Sequence, residues 1–181
     1  MDPATRILLT LDRHVSGPCE VRLMGGAAMI LAYGMGRSTE DVDLLQDDDE
    51  LVFLAEERDF GPALEATNAA LEREGLYLSH IWGPEQEILT PEWRSACRRV
   101  AVAGLARLTV SALGPIDLIL SKLCRADAPD LADIAWLIER EALDADRLRD
   151  AMRRAVVPAH FRSFYPEACA SVEALLDTRD R

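Results

Sequence analysis

Residues 20–45 leave little freedom in what this chain can fold into. Glu20-Val21-Arg22-Leu23-Met24 alternates polar and apolar side chains, which is the period of a half-buried strand, and Gly25-Gly26 interrupts it. Ala27 to Tyr33 is then a run of good helix formers closed by Gly34, and Asp41-Val42-Asp43-Leu44-Leu45 alternates again. The order is strand, double glycine, helix, strand, and the second strand is expected to pair with the first. On it Asp41 and Asp43 share one face, with Val42 and Leu44 on the other.

Around this segment the periodicity predicts further elements. Ile7, Leu8, Leu11 and Val15 recur at helical spacing behind Pro3, and Gly17-Pro18 ends the pattern. Residues 62–74 carry Leu64, Asn68 and Leu71 on one helical stripe with Gly75 as a stop, and Leu76 to Ile81 reads as a strand. Arg99 to Ala103 and Leu108 to Ala112 are two more strand candidates about a turn at Gly104, so up to five strands are available. The acidic stretch Asp47-Asp48-Asp49-Glu50 reads as a solvated turn. From Gly114-Pro115 onward every pattern is helical: Ile116, Ile119, Leu120 and Leu123; then Leu131, Ile134, Leu137 and Ile138; then Leu143 and Leu148; and residues 159–176 after Pro158. The expected fold is α+β, a mixed sheet flanked by helices in residues 1–113 with a helical C-terminal region in residues 114–181 packed on it.

Composition narrows the function classes. At 181 residues with 49% hydrophobic and 29% charged side chains, the chain can bury roughly 70% of the surface its unfolded form exposes and needs no disulfide or metal staple. The 20 Lys+Arg against 32 Asp+Glu leave a net charge of -12, which opposes a long non-specific footprint on nucleic acid. Only Arg94, Arg98, Arg99 and Arg107 form a mid-chain basic cluster. No apolar run is long enough to span a membrane, and Met1-Asp2-Pro3 opens without a basic region leading into an apolar stretch, so no membrane association and a cytoplasmic location are expected. Cys19, Cys97, Cys124 and Cys169 are scattered singly, without metal-binding spacing.

The chemistry lies in the glycine pair and the two aspartates. Paired carboxylates on one strand face offer hard oxygens to a divalent cation such as Mg²⁺, whose remaining ligands come from water and triphosphate. Two glycines where a strand runs into a helix let backbone N–H groups approach a phosphate. With these residues in this order, the chain resembles the nucleotidyltransferase superfamily of DNA polymerase β-like fold. The string from Gly25 to Leu45, ending Arg37-Ser38-Thr39-Glu40-Asp41-Val42-Asp43, looks like the branch of AbiEii-type toxins and related bacterial proteins. A second likeness covers Pro115-Ile116-Asp117-Leu118 through Lys122-Leu123-Cys124-Arg125, followed by Asp130-Leu131-Ala132-Asp133-Ile134.

The resemblance implies Mg²⁺ or Mn²⁺ on Asp41 and Asp43, NTP phosphates against Gly25 and Gly26, and donors at Arg37, Ser38 and Thr39, with Ser38 and Thr39 equally able to shape the turn. It implies a positive charge from Lys122, while Asp130 and Asp133 read as a structural pair. Active members place a third carboxylate on a later strand; here the strand candidates after residue 45 carry no acid, which leaves Glu85, Glu87 or His80 for that acid or base. The activity expected is transfer of NMP from an NTP to an acceptor hydroxyl on tRNA, a protein or a small molecule, in a toxin–antitoxin or phage-defence module with a cognate antitoxin. Two alternatives stand beside it: nucleotidylation of a cationic, aminoglycoside-type molecule, and a non-catalytic nucleotide- or protein-binding member that has lost the third acid.

Overall fold

Asp2 begins the first helix, α1 (Pro3–His14): its carboxylate accepts the Thr5 backbone N–H at 2.9 Å and the Thr5 hydroxyl at 2.5 Å, and Pro3 sits in the first turn where no N–H is needed. Ile7, Leu8 and Leu11 are fully buried, and burial stabilises by about 1.5–3 kcal/mol for each such side chain. The computed structural model describes residues 1–46 and 60–179, so the acidic stretch Asp47 to Glu50 lies outside the described residues. The chain divides into two compact units, Met1–Pro84 with Cys97–Leu113, and Glu85–Ala96 with Gly114–Arg181.

Among the described residues the first unit is built on a mixed five-stranded sheet: β1 (Cys19–Met24), β2 (Asp41–Leu45), β3 (Tyr77–Trp82), β4 (Arg98–Val100) and β5 (Leu108–Ala112), in the order β3-β2-β1-β5-β4. β1 pairs antiparallel with β2, placing Leu23 opposite Leu44 and Met24 opposite Asp43, and runs parallel to β5. β2 and β3 are parallel, and β4 and β5 antiparallel. The α+β architecture with a mixed sheet is therefore as expected. Helices α1, α2 (Gly25–Tyr33) and α3 (Phe60–Leu71) pack with this sheet, and its core includes Val21, Leu23, Val42, Leu44 and Leu78.

Polar side chains close the seams of this unit. Asp12, near the end of α1, accepts the backbone N–H groups of Ala106, Arg107 and Leu108, while Arg107 Nη1 donates to the carbonyls of Asp12, Arg13 and Val15. Burial pushes the Asp12 carboxyl up, but the three N–H donors outweigh it and hold it below the ordinary carboxylate range. The buried face of α3 is Phe60, Ala63, Thr67 and Leu71. Asn68, predicted to lie on the apolar stripe, instead pairs with the outer edge of β3: it accepts from Leu78 N at 2.7 Å and donates to Leu78 O at 3.1 Å.

The second unit contains α4 (Trp93–Ala96), α5 (Pro115–Lys122), α6 (Ala128–Arg140), α7 (Ala145–Arg154) and α8 (Tyr165–Arg179). Asp127 and Asp144 cap α6 and α7 through the N–H groups of Asp130 and Arg147. Residues 85–96 cluster with the helical unit: the Thr90 N–H and hydroxyl both donate to buried Asp117, Leu89 exchanges backbone bonds with Val156, and Arg154 meets Glu92. The last helix, expected over 159–176, is a single tight turn at Ala159–Phe161 followed by α8 from Tyr165. Pro166 explains the break, because its ring cannot follow a preceding helical turn but is tolerated in the first turn of a new one. Among the described residues no helix is long and apolar enough to cross a membrane.

Candidate functional site

The site grows out of the junction of β1 and α2. Met24 is extended, Gly25 turns the chain at φ 60°, and α2 starts without a side-chain cap, so the N–H groups of its first turn face outward with the positive end of the helix dipole. The sequence places the start of the helix at Ala27; the structure includes both glycines in it. A Cβ on Gly25 would stand 3.0 Å from Asp43 Oδ2, and one on Gly26 would stand 3.1 Å from Thr39 Oγ1. The glycine pair thus admits the close approach of Asp43 and Thr39, independently of any ligand.

β2 presents the aspartates as its alternation predicts: Asp41 and Asp43 are half-buried on one face, and Val42 and Leu44 are fully buried on the other. Thr39 donates its hydroxyl to Asp41 Oδ1 at 2.6 Å, and the Ser79 hydroxyl on β3 donates to Asp43 Oδ1. The Oδ2 oxygens of both aspartates accept no hydrogen bond from the described residues. Arg37 lies on the exposed turn before β2, its Nη2 3.9 Å from the Cβ position of Gly26, and Ser38 beside it is exposed. Gly25, Gly26, Arg37, Thr39, Asp41 and Asp43 are therefore neighbours within one unit. Two carboxylates with one oxygen each that accepts no hydrogen bond from the described residues suit Mg²⁺, which uses one or two carboxylates and completes its shell with water and phosphate. Among the described residues there is no cluster of three or more metal-ligating side chains.

A protein family described as nucleotidyltransferase of unknown function (DUF6036) matches residues 8–160, taking in the glycine pair, the two aspartates and the Lys122 segment. The chain belongs to this nucleotidyltransferase family. No curated protein and no solved structure matches the chain.

Of the remaining residues singled out in this nucleotidyltransferase, His80 lies on β3, and Glu85, Glu87 and Lys122 lie in the second unit. His80 stands opposite Asp43 in the β2–β3 ladder. Glu85 is exposed and Glu87 is buried, both in the second unit, where the Cys124 thiol lies 3.4 Å from Glu87 Oε2. Burial and the nearby Glu87 charge push that thiol well above its ordinary range. Lys122, also in the second unit, is held by Asp133 at 2.7 Å and Asp130 at 3.1 Å. Sequence reasoning missed Ser79: a serine on a strand carries no signal until the partner strand and its register are known.

Gly25 gives a direct check on this geometry. Gly25→Ala meets both a left-handed backbone, worth about 1–2 kcal/mol, and the Asp43 carboxylate at 3.0 Å. Because a carboxylate can swing aside, the variant is expected to fold with a stability loss near that figure and, on the reading of Asp43 as a cation ligand, to lose at least about tenfold in Mn²⁺ affinity. Urea unfolding and metal titration on the same sample measure the two effects separately.

Proposed function

We propose that this protein is a Mg²⁺-dependent nucleotidyltransferase that moves an NMP group from an NTP to an acceptor hydroxyl, with pyrophosphate leaving. The observation that carries the reading is the pair Asp41 and Asp43, each with Oδ1 engaged by a hydroxyl and Oδ2 accepting no hydrogen bond from the described residues, beside the uncapped start of α2. Asp41 and Asp43 would hold Mg²⁺ or Mn²⁺, which when bound neutralises charge on the triphosphate. The N–H groups of Gly25 and Gly26 offer donors to phosphate oxygens, and Arg37 offers a cation at the rim. These groups bind and orient the nucleotide so that its α-phosphorus faces the incoming hydroxyl.

The test is titration with each NTP, with and without Mg²⁺, on the wild type and on Asp41→Ala/Asp43→Ala. Magnesium-dependent binding that disappears in the double variant is the expected result. Binding that is the same in both proteins, or absent from both, overturns the reading; binding without transfer of label from α-labelled NTP leaves a non-catalytic nucleotide-binding member.

For the acceptor, one observation favours a cationic small molecule over RNA. A cavity of about 580 Å³ at the start of β3 is lined by Asn68, Ala69, Glu72, Gly75, Leu76 and Tyr77, where Tyr77 pairs in register with Asp41 and is 45% exposed. Among the described lining residues the charged one is Glu72, and a carboxylate beside an aromatic ring suits an ammonium group. The net charge of -12 works in the same direction. The toxin–antitoxin setting rests on the likeness to AbiEii-type proteins. Labelling of amine-bearing small molecules against tRNA and protein separates the acceptors, and growth arrest by the wild type but not by Asp41→Ala/Asp43→Ala tests the setting.

A further inference from the structure

The parallel ladder between β2 and β3 breaks at the site. Asp41 pairs with Tyr77 and Val42 with Leu78, but Asp43 pairs with His80, so Ser79 is an extra residue with no counterpart on β2. Bulges are uncommon in parallel ladders and re-aim a side chain wherever they occur. Here the displaced Ser79 hydroxyl reaches Asp43 Oδ1, with the Val42 carbonyl oxygen 3.3 Å away as a second acceptor. A hydroxyl has one proton to give, and a carboxylate is the stronger acceptor of the two.

The arrangement repeats one seen two residues earlier on the same strand. Thr39 takes Asp41 Oδ1 as Ser79 takes Asp43 Oδ1, so each carboxylate has one oxygen occupied by a hydroxyl. For Asp43 the other oxygen lies over Gly25, the one residue type there without a Cβ to displace it. Asp43 is thereby fixed between a donor on β3 and the bare backbone that begins α2. Ser79 adds a donor without adding charge, so the two aspartates keep a combined charge that one divalent cation balances.

We infer that Ser79 is a positioning residue for a divalent cation: it orients Asp43 so that Oδ2 alone serves as the ligand oxygen. The inference rests on the reading of Asp41 and Asp43 as the cation-holding pair. Groups that orient a metal ligand change affinity by roughly ten- to a hundredfold when removed.

The test is titration with Mn²⁺ alone, following unbound Mn²⁺ by electron paramagnetic resonance, on the full chain and on Ser79→Thr, Ser79→Val, Ser79→Ala and Asp43→Asn, with thermal unfolding of each. Ser79→Thr keeps the hydroxyl and is expected to bind within about threefold of wild type. Ser79→Val has nearly the same shape without the hydroxyl, and Ser79→Ala is smaller; both are expected to bind roughly ten- to a hundredfold more weakly while unfolding near the wild-type temperature. Mn²⁺ binding that Asp43→Asn abolishes but Ser79→Val and Ser79→Ala retain overturns the inference and leaves the metal reading standing. A loss in Ser79→Thr equal to that in Ser79→Val also overturns it, because packing rather than the hydroxyl is then at work. No Mn²⁺ binding by the wild type removes the metal reading itself and the inference with it.

Discussion

Asp43→Asn is expected to lower the rate of NMP transfer by at least about a thousandfold while leaving the protein as stable as the wild type or more so. The first half follows from the proposed ligand role: an amide would offer a cation a neutral oxygen in place of a charged one and leave Asp41 to balance the metal alone. The second half follows from the strand. Asp41 and Asp43 project from the same face, roughly 7 Å apart along β2 at the rise of an extended chain, and half-buried like charges at that distance repel by about 1 kcal/mol. Neutralising one removes the repulsion, while the Asn oxygen can still accept from Ser79. Added salt should stabilise the wild type more than the variant, since screening relieves a repulsion that the variant no longer has. A steady-state assay with α-labelled NTP and urea unfolding at two ionic strengths give both numbers. A rate loss accompanied by a stability loss above about 2 kcal/mol would mark Asp43 as a structural residue of the kind whose removal leaves buried partners unsatisfied.

That prediction uses the part of the site most legible in the sequence. β2 was readable residue by residue because a strand with one buried face must alternate, and Asp41-Val42-Asp43-Leu44 alternates with charges on one face. The first-turn prolines of α1 and α5 and the left-handed Gly34 that closes α2 were equally readable, since each follows from local sterics. The hidden features depend on contacts between distant segments. Nothing local marks Ser79 as an extra residue, because a register is a property of two strands. Asn68 looks like a polar intruder on an apolar stripe until β3 brings it an unpaired edge. Glu85–Ala96 joins the helical unit through Asp117, a buried carboxylate that accepts both donors of Thr90. Pro166 was visible all along, and its rule places the start of the last helix after the tight turn.

Lys122 is where likeness to a family and local geometry point to different experiments. The resemblance assigns its charge to the nucleotide, whereas in the structure its ammonium is inserted between Asp133 at 2.7 Å and Asp130 at 3.1 Å, with the side chain 7% exposed. Asp130 also accepts both Nε and Nη2 of Arg125 at 2.9 Å. Burial raises the Asp130 carboxyl, but Arg125 and Lys122 outweigh it and hold it below the ordinary carboxylate range. Its contribution to stability is therefore present above the unfolded carboxylate value, about 3.9, and is lost as pH falls through the lower folded value. Lys122→Met fills similar space without the charge and takes the ammonium away from buried Asp133 and Asp130, so a loss of about 3 kcal/mol in unfolding free energy is expected, more than a hundredfold in the folding equilibrium. Lys122→Met/Asp133→Leu should recover most of that loss, because an apolar pair of similar volume can replace a buried ion pair at little net cost. Urea unfolding of the wild type and the two variants measures both steps. If Lys122 instead serves the triphosphate, Lys122→Met will unfold like the wild type and bind NTP weakly, and the second substitution will restore nothing.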